Sequence, residues 1–107
     1  MIHADLAALL AGGGERVLWS SSTQLQSNLV RLLPGEAVPE HVEGTLDVLL
    51  VVVAGDGTVS AGTEVTAVTA PAAVVLRAGE PRALTAGPEG LAYVTAHRAR
   101  TGMSIGR

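Results

Sequence analysis

Residues Thr45 to Ala61, TLDVLLVVVAGDGTVSA, carry the clearest structural signal in the chain. The first ten of them, Thr45 to Ala54, form its most apolar segment and are rich in Val and Leu. A continuous apolar run of this kind is typical of a strand that is buried on both faces. We therefore predict a central strand here.

A turn signal follows this strand at Gly55-Asp56-Gly57. An Asp-Gly pair supplies the positive φ angles of a tight hairpin, so we expect Thr58 to Ala61 to return antiparallel to the apolar strand. Gly62-Thr63 marks another turn immediately afterwards.

Outward from this segment, short stretches rich in Val, Leu and Thr alternate with Gly, Pro, Asp or Asn at intervals of about 8–12 residues. The further predicted strands are Val17 to Trp19, Leu25 to Leu33, Glu64 to Thr69, Ala72 to Leu76, Arg82 to Ala86 and Leu91 to His97. About eight or nine short strands indicate an all-β, closed or double-sheet architecture, which leaves few free edges.

The N-terminal residues Met1 to Ala11 are predicted to form a short helix. Leu6, Leu9 and Leu10 fall at helical spacing, and Asp5 can cap or charge the first turn. Three glycines, residues 12–14, then end the helix. A frayed arm over residues 1–14 is the alternative, because an isolated helix of this length is marginal in water.

The composition limits the class of protein. A chain of 107 residues with 48% hydrophobic and 16% charged residues fits one compact domain over residues 1–107. Seven Arg, no Lys and a formal charge of -3 provide no broad basic surface, so we expect no nucleic-acid partner. The longest apolar run, Val48 to Ala54, is too short to span a bilayer, so we expect no membrane segment. The absence of Cys excludes disulfides and Cys nucleophiles and favours a cytoplasmic location.

One polar stretch, His41-Val42-Glu43-Gly44-Thr45-Leu46-Asp47, carries candidate chemistry. His41, Glu43 and Asp47 share parity, so an uninterrupted strand would project all three from one face. An imidazole and two carboxylates can chelate a divalent ion such as Zn, Mn, Fe or Ni. The alternative is a polar strand end in solvent, since Gly44 is liable to bend the strand.

Three other residues invite a structural rather than a chemical interpretation. We expect His97, at the end of the last strong strand, to be a solvated strand end. Trp19 and Tyr93 are the only aromatic residues, and we expect both to be partly buried. Small aliphatic side chains therefore fill the core, and they either leave a cavity or close it.

The pattern from Pro34 to about Thr95 resembles the cupin superfamily of small jelly-roll β-barrels. The first cupin motif runs from Pro-Gly through His-x-His and an acidic residue to a Gly, and it is matched here by Pro34-Gly35, His41-Val42-Glu43, Asp47 and Gly55. Glu43 takes the place of the second His. The interval to Gly55 is one residue longer than usual, which implies either a bulge or an alignment that puts Val48, instead of Asp47, at the acidic position.

The second cupin motif, a Pro-x-Gly turn followed by a His, is matched by Arg77-Ala78-Gly79-Glu80-Pro81-Arg82. Arg82 stands where the family has a metal-binding His, and a guanidinium has no lone pair to donate to a metal. Because the resemblance implies that the two motifs face each other, Arg82 is expected near Glu43 or Asp47, in a charge-assisted contact. Alternatively, Arg82 points to solvent, or it binds the carboxylate of an anionic ligand.

Two functions follow from this resemblance. The one we favour is a non-catalytic or small-ligand-binding barrel with a degenerate metal site. A Glu43–Arg82 ion pair closes its cavity, or the cavity accepts a small anionic ligand. Such a ligand would contact Arg82, Glu43 and His41. The alternative is a metal-dependent enzyme of the dioxygenase, isomerase or decarboxylase type, in which His41, Glu43 and Asp47 hold a divalent transition metal. The apolar composition also permits a homodimer.

Overall fold

The computed structural model describes residues 1–100. Its elements are α1 (Leu6–Ala11), β1 (Val17–Ser22), β2 (Leu25–Leu32), β3 (Ala37–Val42), β4 (Val48–Ala61), β5 (Glu64–Thr69), β6 (Ala72–Leu76) and β7 (Pro81–Arg98). The strand pairings are antiparallel. The all-β prediction with a short N-terminal helix is confirmed.

Two long strands, β4 and β7, connect the two layers of the barrel. The first part of β4 pairs with β6 and with the second part of β7, and β2 and β1 extend this layer. The second part of β4 pairs with β5 and with the first part of β7, and β3 completes that layer. The inner faces of the two layers enclose the apolar core, which is the arrangement of a jelly-roll barrel.

The prediction of a hairpin at Gly55-Asp56-Gly57 is wrong. Strand β4 continues through these residues as one element, and its pairing with β7 shifts register there. Gly55 has a φ of +77°, and it lies against Gly90 of β7, whose φ is +80°. The positive φ angles serve a bulge that bends two paired strands together, and the chain reverses only at Gly62-Thr63.

Two further strand predictions need correction for related reasons. The segments Arg82 to Ala86 and Leu91 to His97 belong to one strand, β7, because the intervening glycines bend it without ending it. Strand β3 was not predicted, since Pro39, Glu40 and His41 interrupt any apolar alternation. Within residues 1–100, β3 pairs with β7 on one side only, and a proline is tolerated in such an edge strand.

The apolar run of β4 is buried on one face and not on both. Val48, Leu50 and Val52 are buried, whereas Leu49 between them is 42% exposed. Within residues 1–100, no second sheet packs on the outer side of this layer, so the alternate side chains face outward. Of the two aromatic residues, Trp19 is half-buried, as expected, and Tyr93 is more buried than expected, with 5% of its surface exposed.

The helix begins at Leu6 instead of Met1. The Asp5 carboxylate accepts a hydrogen bond from the Ala8 amide at 3.1 Å, which confirms its capping role. Arg31 of β2 holds the other end, since its Nη1 donates to the Leu10 carbonyl at 2.8 Å and its Nη2 donates to the Gly12 carbonyl at 2.9 Å. Within the described residues, no helix has the length and apolar character needed to cross a membrane.

Candidate functional site

A cavity of about 280 Å³ lies between the two layers of the barrel. Its wall combines apolar and polar side chains from β3, β4, β6 and β7 and from the residue that follows β3. The lining residues are Val38, His41, Glu43, Val48, Leu50, Leu76, Arg82, Leu84, Tyr93, Thr95 and His97. A mainly apolar pocket with a few convergent polar groups is typical of small-molecule sites.

The strand register separates the polar side chains from the apolar ones. His41 and Arg82 are Cα partners in the β3–β7 pairing, and Val38 is paired with Leu84 further along β7 towards the bend. In the other layer, Leu50 is paired with Thr95, and His97 lies beyond it towards the end of β7. The polar groups therefore gather at the end of the barrel away from the Gly55–Gly90 bend, and Leu84 and Tyr93 lie nearer the bend.

Arg82 is the buried charged residue of this wall, with only 4% of its surface exposed. Its Nη2 donates to the Arg77 carbonyl at 3.0 Å, and its Nε is buried without a hydrogen-bond partner. The ion pairs within residues 1–100 are Arg16–Glu36 and Arg100–Glu43, so no described carboxylate neutralises Arg82. A buried permanent charge in this situation costs stability.

The expected ion pair between Glu43 and Arg82 is wrong. Both oxygens of Glu43 accept hydrogen bonds from Arg100, with Nη1 donating to Oε1 at 3.2 Å and Nη2 donating to Oε2. Oε1 also accepts from the amide and the hydroxyl of Thr45. Arg100 follows β7 and reaches across to the β3–β4 connection, a contact that no local pattern in the sequence indicates.

Asp47 does not join His41 and Glu43. Strand β3 ends at Val42, so the assumed continuous strand, and with it the shared face, breaks before Glu43. The Asp47 carboxylate instead accepts a hydrogen bond from the Ala78 amide at 2.8 Å and lines a separate cleft with Thr45, Leu46 and Arg98. Val48 lines the cavity in its place, which favours the shifted alignment of the first motif.

The residues present do not fit a transition metal. The three candidate ligands do not converge, and no three His, Cys, Asp or Glu side chains among residues 1–100 form a group that could hold a metal ion. Arg82 adds a fixed positive charge to the same wall, and Arg100 and Thr45 use the Glu43 oxygens. A cation would meet electrostatic repulsion and an incomplete ligand set.

His97 was expected to be a solvated strand end, but it is half-buried and lines the cavity with Thr95 and Tyr93. Its Nδ1 lies 2.8 Å from the Arg98 carbonyl. Burial raises the pKa of the Tyr93 hydroxyl above its ordinary value, with a smaller opposing effect from Arg16. Tyr93, Thr95 and His97 occupy alternate positions of β7 and therefore face the same side of the sheet. This shared face with buried Tyr93 was the signal in the sequence that would have placed His97 inside the barrel.

The contact with Arg100, followed by the hydrogen bond from the Thr45 amide, lowers the pKa of Glu43 from 4.5 to about 2. We expect an NMR pH titration to show this value and the Arg100→Gln variant to raise it towards 4.5. Because the pKa is lowered in the folded state, the pair stabilises the fold above pH 4.5, and this contribution is lost as the pH falls towards 2. Titration of wild-type Glu43 near 4.5 would show that the ion pair does not form in solution.

Comparison with known proteins rests on the fold alone. No family model matches this chain, and no curated protein matches its sequence. Among solved structures, the cupin domain of Cnp3 from Schizosaccharomyces pombe superposes with a TM-score of 0.70 at 13% identity, over 85% of this chain and 67% of that chain. This chain has the cupin fold.

Two other similar structures extend the comparison of this cupin barrel. The protein TT1209 from Thermus thermophilus matches with a TM-score of 0.79 and 22% identity, over 94% of this chain and 99% of that chain. A predicted oxalate decarboxylase from Thermotoga maritima matches with a TM-score of 0.65 and 16% identity, over 70% of this chain and 66% of that chain. The cupin barrel thus spans slightly less than two thirds of the latter protein.

Proposed function

We propose that this cupin barrel is a non-catalytic binding protein that takes a small organic anion into the cavity, with the anionic group paired to Arg82. The observation that supports the proposal is the buried guanidinium, which faces a cavity and has no carboxylate partner among residues 1–100. Its Nε is buried and has no hydrogen-bond partner. A ligand carboxylate would pair with this guanidinium through charge-assisted hydrogen bonds.

The burial of Arg82 does not help the chain to fold. Replacing a buried charge by an apolar side chain of similar size is often neutral or stabilising, so a buried unpaired arginine brings no advantage for folding. Its burial among Val, Leu and Tyr side chains is explained if a ligand supplies the missing negative charge. Electrostatic attraction is strong in such a partly desolvated site.

The size and lining of the cavity define the rest of the ligand. An apolar cavity of about 150 Å³ holds benzene, so about 280 Å³ accepts roughly a dozen non-hydrogen atoms. Leu84 and Tyr93 line the part of the cavity nearer the bend, and Leu50 lies between them and the polar end; these side chains favour an apolar body. We therefore propose that the apolar part enters first and the anionic group remains at the level of Arg82, with His41 and His97 nearby.

The test compares two ligands that have the same apolar phenylpropyl skeleton and differ in charge. We expect 3-phenylpropionate to bind and its amide, 3-phenylpropanamide, to bind at least about 30-fold more weakly, equivalent to ~2 kcal/mol, because the amide offers no charge to Arg82. Arg82→Met is expected to abolish this preference while leaving the free energy of unfolding unchanged or about 1–3 kcal/mol higher. Isothermal titration calorimetry and urea unfolding measure the two quantities.

Arg98→Met is the matched control, since it removes an exposed arginine of the same strand, β7. This variant should bind 3-phenylpropionate like the wild type. Equal binding of the acid and the amide by the wild type, or an unchanged preference in Arg82→Met, would contradict the proposal. Stoichiometric Zn, Mn, Fe or Ni in untagged protein, lost in His41→Ala, would instead support a metal-dependent enzyme.

A further inference from the structure

Apart from the two histidines, the cavity wall has two charged residues, Arg82 and Glu43. Its side chain is 19% exposed, and its charge is opposite to that of Arg82. Left unpaired, this carboxylate would repel an incoming anion or neutralise Arg82 itself. Whether the Glu43 carboxylate is paired therefore determines which sign of ligand charge the cavity accepts.

The structure shows how Glu43 is occupied. Arg100 binds both carboxylate oxygens in a two-pronged contact, and Thr45 donates twice to Oε1. The Glu43 backbone is fixed as well, because its carbonyl accepts a hydrogen bond from the Gly79 amide at 2.8 Å. The carboxylate is thus held and neutralised from the side of Arg100, which does not line the cavity.

We infer that Arg100 is a specificity-determining residue that gives the cavity its preference for anions by neutralising Glu43. Arg82 is then the unbalanced charge among the described lining residues, and the ligand class is a monoanion with an apolar body. This inference rests on the proposed function. Arg100 acts through Glu43 and is a positioning residue that does not contact the ligand.

The experiment measures charge preference as the ratio of the dissociation constants of 3-phenylpropylamine and 3-phenylpropionate. The two probes share one apolar body and carry opposite charges at neutral pH. In the Arg100→Gln variant, we expect the ratio to fall at least about tenfold, because the freed Glu43 carboxylate attracts the ammonium group and repels the carboxylate. NMR titration of the full chain gives both constants.

A double variant separates this role from a structural one. If Arg100 acts only through Glu43, adding Glu43→Gln to Arg100→Gln should restore the ratio to within about twofold of the wild-type value, since no carboxylate remains to be neutralised. Arg98 carries a neighbouring positive charge but does not contact Glu43, so Arg98→Gln should leave the ratio unchanged. An equal fall in Arg98→Gln would show a general loss of surface charge instead of this mechanism.

The outcomes distinguish this inference from the proposed function. If the wild type binds neither probe, or shows no preference for the carboxylate, the proposed function fails. If the wild type prefers the carboxylate and Arg100→Gln keeps that preference, only the role of Arg100 is overturned. A double variant that remains as altered as Arg100→Gln also overturns it.

Discussion

Gly55→Ala should destabilise the barrel by about 3–5 kcal/mol, enough to unfold much of the population of a marginally stable domain. Two effects combine at this position. The residue has a φ of +77°, which residues other than glycine rarely adopt. An added Cβ would also lie closer to the Gly90 carbonyl than van der Waals contact allows. Urea denaturation followed by circular dichroism gives the change in unfolding free energy.

Gly35→Ala is the matched control for this prediction. Gly35 has nearly the same φ, +78°, but a Cβ there would meet no atom within 4 Å. Its substitution should cost only the backbone contribution of about 1–2 kcal/mol. Similar losses at both positions would mean that the close approach of β4 and β7 at Gly55 does not exist in solution.

Leu50→Ala should lower the unfolding free energy by about 3 kcal/mol, within the usual range for a buried leucine. Leu50 is 1% exposed and belongs to the main apolar core. Its neighbour Leu49 points to the opposite face of β4 and is 42% exposed. Leu49→Ala is therefore expected to cost less than about 1 kcal/mol.

The comparison of the two leucine variants tests which face of β4 is buried. The sequence predicts burial on both faces, because the run is apolar at every position. Equal losses at Leu49 and Leu50 would support that prediction and contradict the one-sided burial in the structure. They would also indicate that a partner covers the outer face in solution, as in the homodimer that the composition permits.

The candidate site was partly predictable from the sequence. The motif match brought His41, Glu43 and Arg82 together, and the structure places all three on one cavity wall. Which of them pair was not predictable, because the partner of Glu43 is Arg100, 57 residues away and outside both motifs. His97 was assigned to solvent from its place at a strand end, although its parity with Tyr93 on the same strand indicates the inner face.

By itself, the sequence determined the local features of this protein. Short Val- and Leu-rich segments between glycines and prolines specify strands, and Asp5 specifies the start of the helix, because each depends on backbone preferences within a few residues. Only the tertiary structure decided that Gly55 bends a continuous strand and does not close a hairpin, since the same positive φ serves a turn or a bulge according to the strand paired beside it. It likewise decided that Arg82 lies buried while Arg100 neutralises Glu43, because burial and charge pairing depend on residues that meet only when the two layers close.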